Sequence, residues 1–248
     1  MPLRLLETWG GAADWNMAVD AWLLATPTAA DDVTLRLYTW EPPALSLGYF
    51  QRVADVPAAA GRTPGVDLVR RTTGGGAIHH AHELTFSIAA SLEHPLYRGP
   101  VADSYRRVHA LIAEALAEFG VGATPRADRT AASDRSGTGL CFHASHPLDL
   151  GWDTGDGWRK GVGSAQRRKD GRVLHHGSIK LAADPLEPGV GVVQSAPAPD
   201  RLGRALSAAL ERGTGLETRS DELSNADLEQ VEAGYRLPFS DPAHTGRR

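Results

Sequence analysis

Three consecutive glycines, Gly74–Gly76, lie between "VDLVRR" and "LTFSIAASL", and this run constrains the fold most. Glycine has no Cβ, so such a run either makes a tight turn or presents bare backbone to something lying against it. Both flanks read as strands, the second from its β-branched and aromatic content. Because a strand follows the glycines, the run is not a Gly-x-Gly-x-x-Gly turn opening a helix. No Gly-Lys-Ser/Thr follows to make a phosphate loop either. Three readings stay open. Arg70 and Arg71 can clamp an anion beside the glycine backbone. His79, His80 and His82, joined by His175 and His176, can hold a metal, although no cysteine or carboxylate cluster at finger-like spacing accompanies them. Third, the glycines can wall an extended acyl chain with His80 at its mouth.

Around that run the chain sorts into strand clusters separated by long helices. "LRLLETW" reads as a strand, and "DWNMAVDAWLLAT" as a helix with Asp14 at its N-cap. "VTLRLYTW" alternates Val33, Leu35 and Leu37 with polar partners, the pattern of a half-buried strand. "ALSLGYF" is a further strand and "DVPAAAGR" a short helix. In "DSYRRVHALIAEALAEFG", Tyr105, Val108, Ile112, Leu116 and Phe119 form one apolar stripe, with Gly120 placed to end the helix. Residues 123–139 read as a loop, followed by strands at Leu140–Phe142 and Leu148–Trp152. "DTGDG" joins two runs as a hairpin. "RLGRALSAALERG" and "NADLEQVEAGYR" are helices, the second capped by Ser224 with Asp227 three residues on. Strict strand–helix alternation is missing, so the expectation is an α+β fold on one mixed sheet. The domain reading is a catalytic unit over 1–195, C-terminal helices over 196–240 packed on it, and a disordered tail over 241–248.

Charge and cysteine usage narrow the function. A formal charge of −4 leaves no basic surplus for phosphate neutralisation, which argues against nucleic acid as partner. No run approaches the ~18 apolar residues of a membrane span, and one cysteine cannot make an intrachain disulfide. A monomeric cytoplasmic protein is expected. Of 26 basic residues only Lys160, Lys169 and Lys180 are lysines. An ammonium retained in an arginine-biased chain suggests that one site requires it, while solvated surface accounts for at least two of the three. Cys141, in "GLCFHASHPLDLGW", is separated from Lys160, in "WRKGVGSAQRR", by the expected hairpin. Thiols react as thiolates and a nearby ammonium favours that form. A thiolate that attacks an acyl carbonyl while a lysine steadies the oxyanion suits thioester exchange.

In order, "WNMAVDAWLL", "RLYTWEPPALSLGYFQ", "RRTTGGGAIHHAHELTFSI", "LEHP", "LCF", "RKGVGSAQRR" and "LHHGSIKL" resemble the lipoate/biotin protein ligase superfamily. The resemblance is strongest to its octanoyltransferase branch with a cysteine in a "CF" motif, and it runs from about Trp15 to Leu181. It implies a mixed sheet flanked by helices around an acyl-chain tunnel. By the same resemblance Cys141 is the acyl-thioester nucleophile, and Lys160 contacts the acyl carbonyl and favours the thiolate. Arg71, Gly74, Gly75, Gly76 and His80 lie along the acyl chain, Ser164, Ala165 and Gln166 line the same pocket, and His176 and Gly177 form the strand beside it. Some positions depart from the branch. Gly76 replaces a frequent arginine and is more usual in lipoate ligases, Ser145-His146 replaces Pro-Ser, Ala81 replaces an aspartate, and the hairpin after Cys141 is longer.

The implied reaction moves an octanoyl group from the phosphopantetheine of acyl carrier protein to Cys141. It then passes to a lysine of a lipoyl domain, that of the glycine cleavage H protein or of a 2-oxoacid dehydrogenase E2. No tightly bound cofactor and no metal are expected. The alternatives are an ATP-dependent lipoate–protein ligase, an amidotransferase acting between lipoyl domains, and a non-catalytic carrier-binding protein. His80, His143 and His176 are candidates for the base that deprotonates the incoming lysine.

Overall fold

The computed structural model describes residues 2–27, 29–56 and 66–247. Eleven strands form two sheets among these residues. The large sheet has the order β11-β1-β2-β6-β10-β9-β8-β7. These strands are β1 (Leu3–Gly11), β2 (Val33–Trp40), β6 (Glu83–Ser91), β7 (Thr124–Pro125), β8 (Leu150–Asp153), β9 (Trp158–Lys169), β10 (Arg172–Lys180) and β11 (Thr218–Asp221). β1 runs parallel to β2 and β11, and the remaining neighbours are antiparallel, so the sheet is mixed as expected. β3 (Ala44–Leu47), β4 (Asp67–Arg70) and β5 (Ile78–His80) make the small sheet, with β3 at its centre.

Helices cover both faces of the large sheet. On one face lie α2 (Val101–Ala117) and α3 (Pro199–Thr214), whose Val108, Ile112, Leu202 and Leu206 pack on Val33, Leu35, Leu37, Phe86 and Ile88. α1 (Ala13–Ala25) covers the other, with Met17 and Trp22 packing against Tyr38, Trp40, Ala89 and Leu174. This double cover corrects the half-buried reading of β2: its alternating face is the α2–α3 side, but Thr34, Arg36 and Tyr38 are buried too. Arg36 is tolerated there because its Nη1 donates to Asp20 Oδ1 at 2.9 Å and its Nη2 to Asn16 Oδ1 at 2.6 Å. A buried guanidinium requires such compensation.

Other expectations change in detail. Asp14 sits inside the first turn of α1 and accepts from Arg236 at 2.8 Å; the N-cap is Ala12, which has no side chain to cap with. The strand expected over Leu140–Phe142 is a 3-10 turn, Cys141–His143, tied to the sheet by a single bridge between Ala77 and Leu140. The helix expected in "DVPAAAGR" falls mostly outside the described residues, with Val53–Asp55 forming a 3-10 turn. β11 was not anticipated: its residues are polar and mostly exposed, so no apolar pattern marks it. The expected hairpin between β8 and β9 is present.

At the C-terminus, Ser224 and Asp227 form the expected reciprocal cap on α4 (Asn225–Gln230). The helix widens through Val231–Arg236 before α5 (Leu237–Ser240). The tail expected to be disordered instead contains α6 (Pro242–Gly246), capped by Asp241. It is held because Arg70, buried at the end of β4, donates from Nε and Nη2 to Thr245 O at 3.0 and 2.6 Å.

Candidate active site

The glycine loop follows β4 and is held from beneath by Arg71. One guanidinium nitrogen donates to Gly74 O and Gly76 O, both at 2.7 Å, while the other donates to Ser46 O on β3 at 2.9 Å. Burial lowers the Arg71 pKa from its ordinary value, offset in part by Cys141 and Glu187. Gly75 has φ +97°, a region that suits glycine. Gly76 is required by close approach: a Cβ there would stand 2.8 Å from Gly139 O and 2.9 Å from Cys141 N. Ala77 N donates to Gly139 O at 2.9 Å and Cys141 N to Ala77 O at 2.7 Å, so the glycine loop and the cysteine segment are stitched together.

Cys141 is half-buried and free. Its Sγ lies 3.5 Å from Lys160 Nζ, brought there by β9, whose register against β8 shifts next to the pairing of Gly151 with Lys160. Lys160 is 2 % exposed. It also donates to Cys141 O at 2.9 Å and Ala144 O at 3.3 Å and pairs with Asp149 Oδ2 at 2.7 Å. Burial by itself would lower the Lys160 pKa. Cys141 and Asp149 outweigh it and hold the pKa above the ordinary lysine value, so the group is charged.

The thiol borders a cavity of about 390 Å³, counting space open to solvent. Arg71, Gly74, Gly75, His80, Ser164, Ala165, His176 and Gly177 line it as the sequence suggested, together with Met17, Tyr38, Trp40, Ser46, Thr85 and Ser178. Two expected residues do not. Gly76 serves the cysteine segment. Gln166 lies on the opposite face of β9, where Nε2 donates to Ser104 Oγ at 2.9 Å and meets His175 Nδ1 at 3.2 Å. Alternation along the strand puts Ala165 toward the cavity and Gln166 away from it. Ser164 lines the cavity, but its hydroxyl meets His109 Nε2 at 2.7 Å and His175 Nε2 at 3.1 Å.

Two buried carboxylates, neither singled out from the sequence, determine the character of this cavity. Glu83 accepts from Thr85 and Ser178 hydroxyls at 2.7 Å and from Lys180 Nζ at 2.8 Å, and pairs with His80 Nδ1 at 2.6 Å. Asp20 accepts from Tyr38 Oη at 3.0 Å and Ser87 Oγ at 2.8 Å, and pairs with His176 Nδ1 at 2.9 Å. The wall hydroxyls of Tyr38, Thr85 and Ser178 are thus turned onto carboxylates and those of Ser46 and Ser164 onto histidines, and the interior left to a ligand is largely apolar. Desolvation opposes ionisation of Glu83, but Lys180 and His80 overcome it and hold its pKa far below the usual range. Weak signals for both residues exist in the sequence: an aspartate inside an apolar helix, and a glutamate three residues after His80. For Asp149 no pattern points to Lys160.

The candidate bases are all engaged. His80 stacks on Trp40 with centroids 3.9 Å apart, and its Nε2 meets Ser46 Oγ at 2.7 Å. Burial lowers its pKa to about 4 despite Glu83. His176 Nε2 meets Thr73 Oγ1 at 2.5 Å. His143 points out of the cavity to Pro188 O at 3.0 Å. Among the described residues no group of three or more His, Cys, Asp or Glu side chains converges for a metal. His79, one of the metal candidates, pairs instead with Asp184 at 2.6 Å. Lys180, expected at the surface, is buried between Glu83 and Glu187 at 2.8 and 2.6 Å. Of the three lysines, only Lys169 is a surface residue. Among the described residues no helix is long and apolar enough to cross a membrane.

Fold and site together define a domain with a largely apolar cavity in a helix-covered mixed sheet and a thiol and an ammonium at the cavity's edge. The chain belongs to the lipoyl protein ligase A/B catalytic domain family, whose model matches residues 12–208. It is 41% identical over 180 residues to "Octanoyltransferase LipM" of Moorella thermoacetica, a match covering 72% of this chain and 64% of that one. With the LipM of Clostridioides difficile it shares 33% identity over 219 residues, 87% of this chain and 78% of the relative. The match thus spans just under two thirds of the Moorella relative. Among solved structures, the bi-partite lipoate protein ligase of Thermoplasma acidophilum superposes with a TM-score of 0.78 at 19% identity, over 99% of this chain and 97% of the other. Lipoate-protein ligase A bound with ATP gives 0.78 at 22% identity, over 99% of both chains. These two likenesses concern the fold.

Proposed function

We propose that this chain is an octanoyltransferase of lipoate biosynthesis. It takes octanoyl from the phosphopantetheine of acyl carrier protein onto Cys141 and passes it to a lysine of a lipoyl domain. The observation that carries the reading is the Cys141 Sγ–Lys160 Nζ contact at 3.5 Å on the rim of an apolar cavity. The LipM names of the relatives support it. In the first half-reaction the thiolate attacks the thioester carbonyl, the new carbon–sulfur bond forms, and the carrier thiolate leaves and takes up a proton. In the second, the lysine amine attacks, the carbon–nitrogen bond forms, and the Cys141 thiolate leaves while the amine proton is lost to the medium. Lys160 offers its N–H to the oxyanion in each step. A thioester becomes an amide, so no nucleotide is consumed.

Gly76 is the sequence feature that favours a nucleotide-using ligase. Its missing side chain has a local cause in this chain, the approach of Gly139 O and Cys141 N. Intact-mass analysis after mixing with octanoyl–acyl carrier protein, EDTA present and ATP absent, tests the proposal. One octanoyl adduct is expected, lost in Cys141→Ser and discharged by a lipoyl domain. Modification of the lipoyl domain that requires ATP and free acid, and survives Cys141→Ser, refutes it.

A further inference from the structure

The face of β9 that carries the site continues beyond it. Side chains alternate along a strand, so Gly163, Ala165, Arg167 and Lys169 share a face. Gly163 adjoins the thiol, a Cβ there lying 3.4 Å from Cys141 Sγ, and Ala165 lines the cavity. Arg167 and Lys169 line a separate groove that also includes Tyr49 and Thr72, the latter two residues before Gly74.

Tyr49 organises the rim of this groove. The Arg167 guanidinium lies 5.2 Å and the Arg247 guanidinium 4.4 Å from its ring centroid, so cation–π contacts gather two positive groups on one aromatic side chain. Phe50 meets the Tyr49 ring edge-on, is 65% exposed, and lies 4.0 Å from where a Gly74 Cβ would stand. The acid on the groove wall, Asp170, is 3.7 Å from Lys169 with a side chain 84% exposed, a loose pair that screens little. On a chain of net charge −4 this concentration of positive charge is a local feature.

We propose that the groove docks the acyl-bearing carrier domain, with Arg167 and Lys169 engaging its anionic groups and Tyr49 and Phe50 its apolar contact; the proposal rests on the octanoyltransfer reading. Charge selects the donor over the acceptor. A phosphopantetheine arm is joined through an anionic phosphodiester, whereas a lipoyl-domain lysine, with an ordinary pKa of about 10.4, arrives as a cation. A basic rim attracts the first and repels the second. Reach is consistent: six residues separate Gly163 from Lys169, about 20 Å at ~3.3 Å per residue, a distance for the arm between carrier surface and thioester to cover. Such a surface acts on encounter rate and is weakened by salt.

The test compares Arg167→Glu/Lys169→Glu with the parent protein in the rate of Cys141 acylation, read by intact mass. Two donors are used: octanoyl–acyl carrier protein, and octanoyl-pantetheine, which has neither phosphate nor carrier. The expected result is a KM for the carrier donor raised by about tenfold or more, with kcat and the pantetheine donor unchanged. The parent's carrier KM should also rise with salt more steeply than the variant's. An unchanged carrier KM, or an equal loss with both donors, overturns the proposal. So does a defect confined to discharge onto the lipoyl domain, which would assign the groove to the acceptor. If the parent protein is acylated by neither donor, the octanoyltransfer reading itself fails.

Discussion

Replacing Lys160 by Met removes the ammonium beside the Cys141 thiol while keeping much of the side-chain volume. At 3.5 Å a unit-charge pair is worth about 5 kcal/mol at an effective dielectric of ~20. Cys141 is only half-buried, and allowing solvent to screen half of this leaves about 2–3 kcal/mol, or roughly 10²-fold at 1.36 kcal/mol per decade. Loss of an oxyanion donor has a similar magnitude, about 10²–10³-fold in kcat. Iodoacetamide labelling of Cys141 at pH 7 is therefore expected to slow by at least about tenfold, and octanoyl transfer by about 10²-fold. Folding is the complication. Without Nζ, the Asp149 carboxylate, 2.7 Å away in the parent protein, is left buried and unpaired, which costs about 3–5 kcal/mol. Lys160→Met/Asp149→Asn removes that charge as well. The double variant should regain most of the stability measured by urea unfolding, yet neither labelling nor transfer. If labelling and transfer return along with stability, Lys160 only supports the fold and the electrostatic reasoning is wrong.

Two further predictions follow from the buried charges. Lys180→Met leaves Glu83 and Glu187 without their shared cation and should cost about 3–5 kcal/mol, whereas exposed Lys169→Met should stay within about 0.5 kcal/mol; equal urea midpoints would refute this. Acid should also destabilise the protein before carboxylates titrate. The unfolded His80 has a pKa near 6.5 and the folded one about 4, so between those pH values the unfolded chain binds more protons and stability rises with pH. Going from pH 7 to 4 should remove about 3 kcal/mol on account of His80, with His175, its pKa lowered by burial, adding in the same sense; a flat stability profile across this range would be incompatible with the buried neutral histidines.

Local patterns along the chain determine much of this protein. The glycine run between strands, the β8–β9 hairpin, the amphipathic stripe of α2 and the Ser224 cap are each set by residues close in sequence, so their physics is readable without a fold. The pairing of Cys141 with Lys160 was legible for a related reason: one hairpin separates them, and a lone thiol and a scarce lysine stand out in composition. Tertiary structure alone decided the rest. Arg36 and Lys180 have the look of surface residues, yet both are buried, because charge on a side chain does not reveal whether a carboxylate 16 or 97 residues away will meet it. The 3-10 turn at Cys141 depends on backbone bonds to Ala77 across the glycine loop, and the helix at the C-terminus depends on Arg70, whose guanidinium donates to Thr245 O as well as to the Gly48 and Gln51 carbonyls. Gln166 left the cavity for a similar reason: strand alternation is visible in sequence, but which face looks inward is settled only when β9 pairs with β10 and α2 packs on the other side. The polarity of the cavity is the clearest case. The hydroxyls of Tyr38, Thr85 and Ser178, from three strands of its wall, leave an apolar surface only because Glu83 and Asp20, drawn in from separate segments, accept their hydrogens.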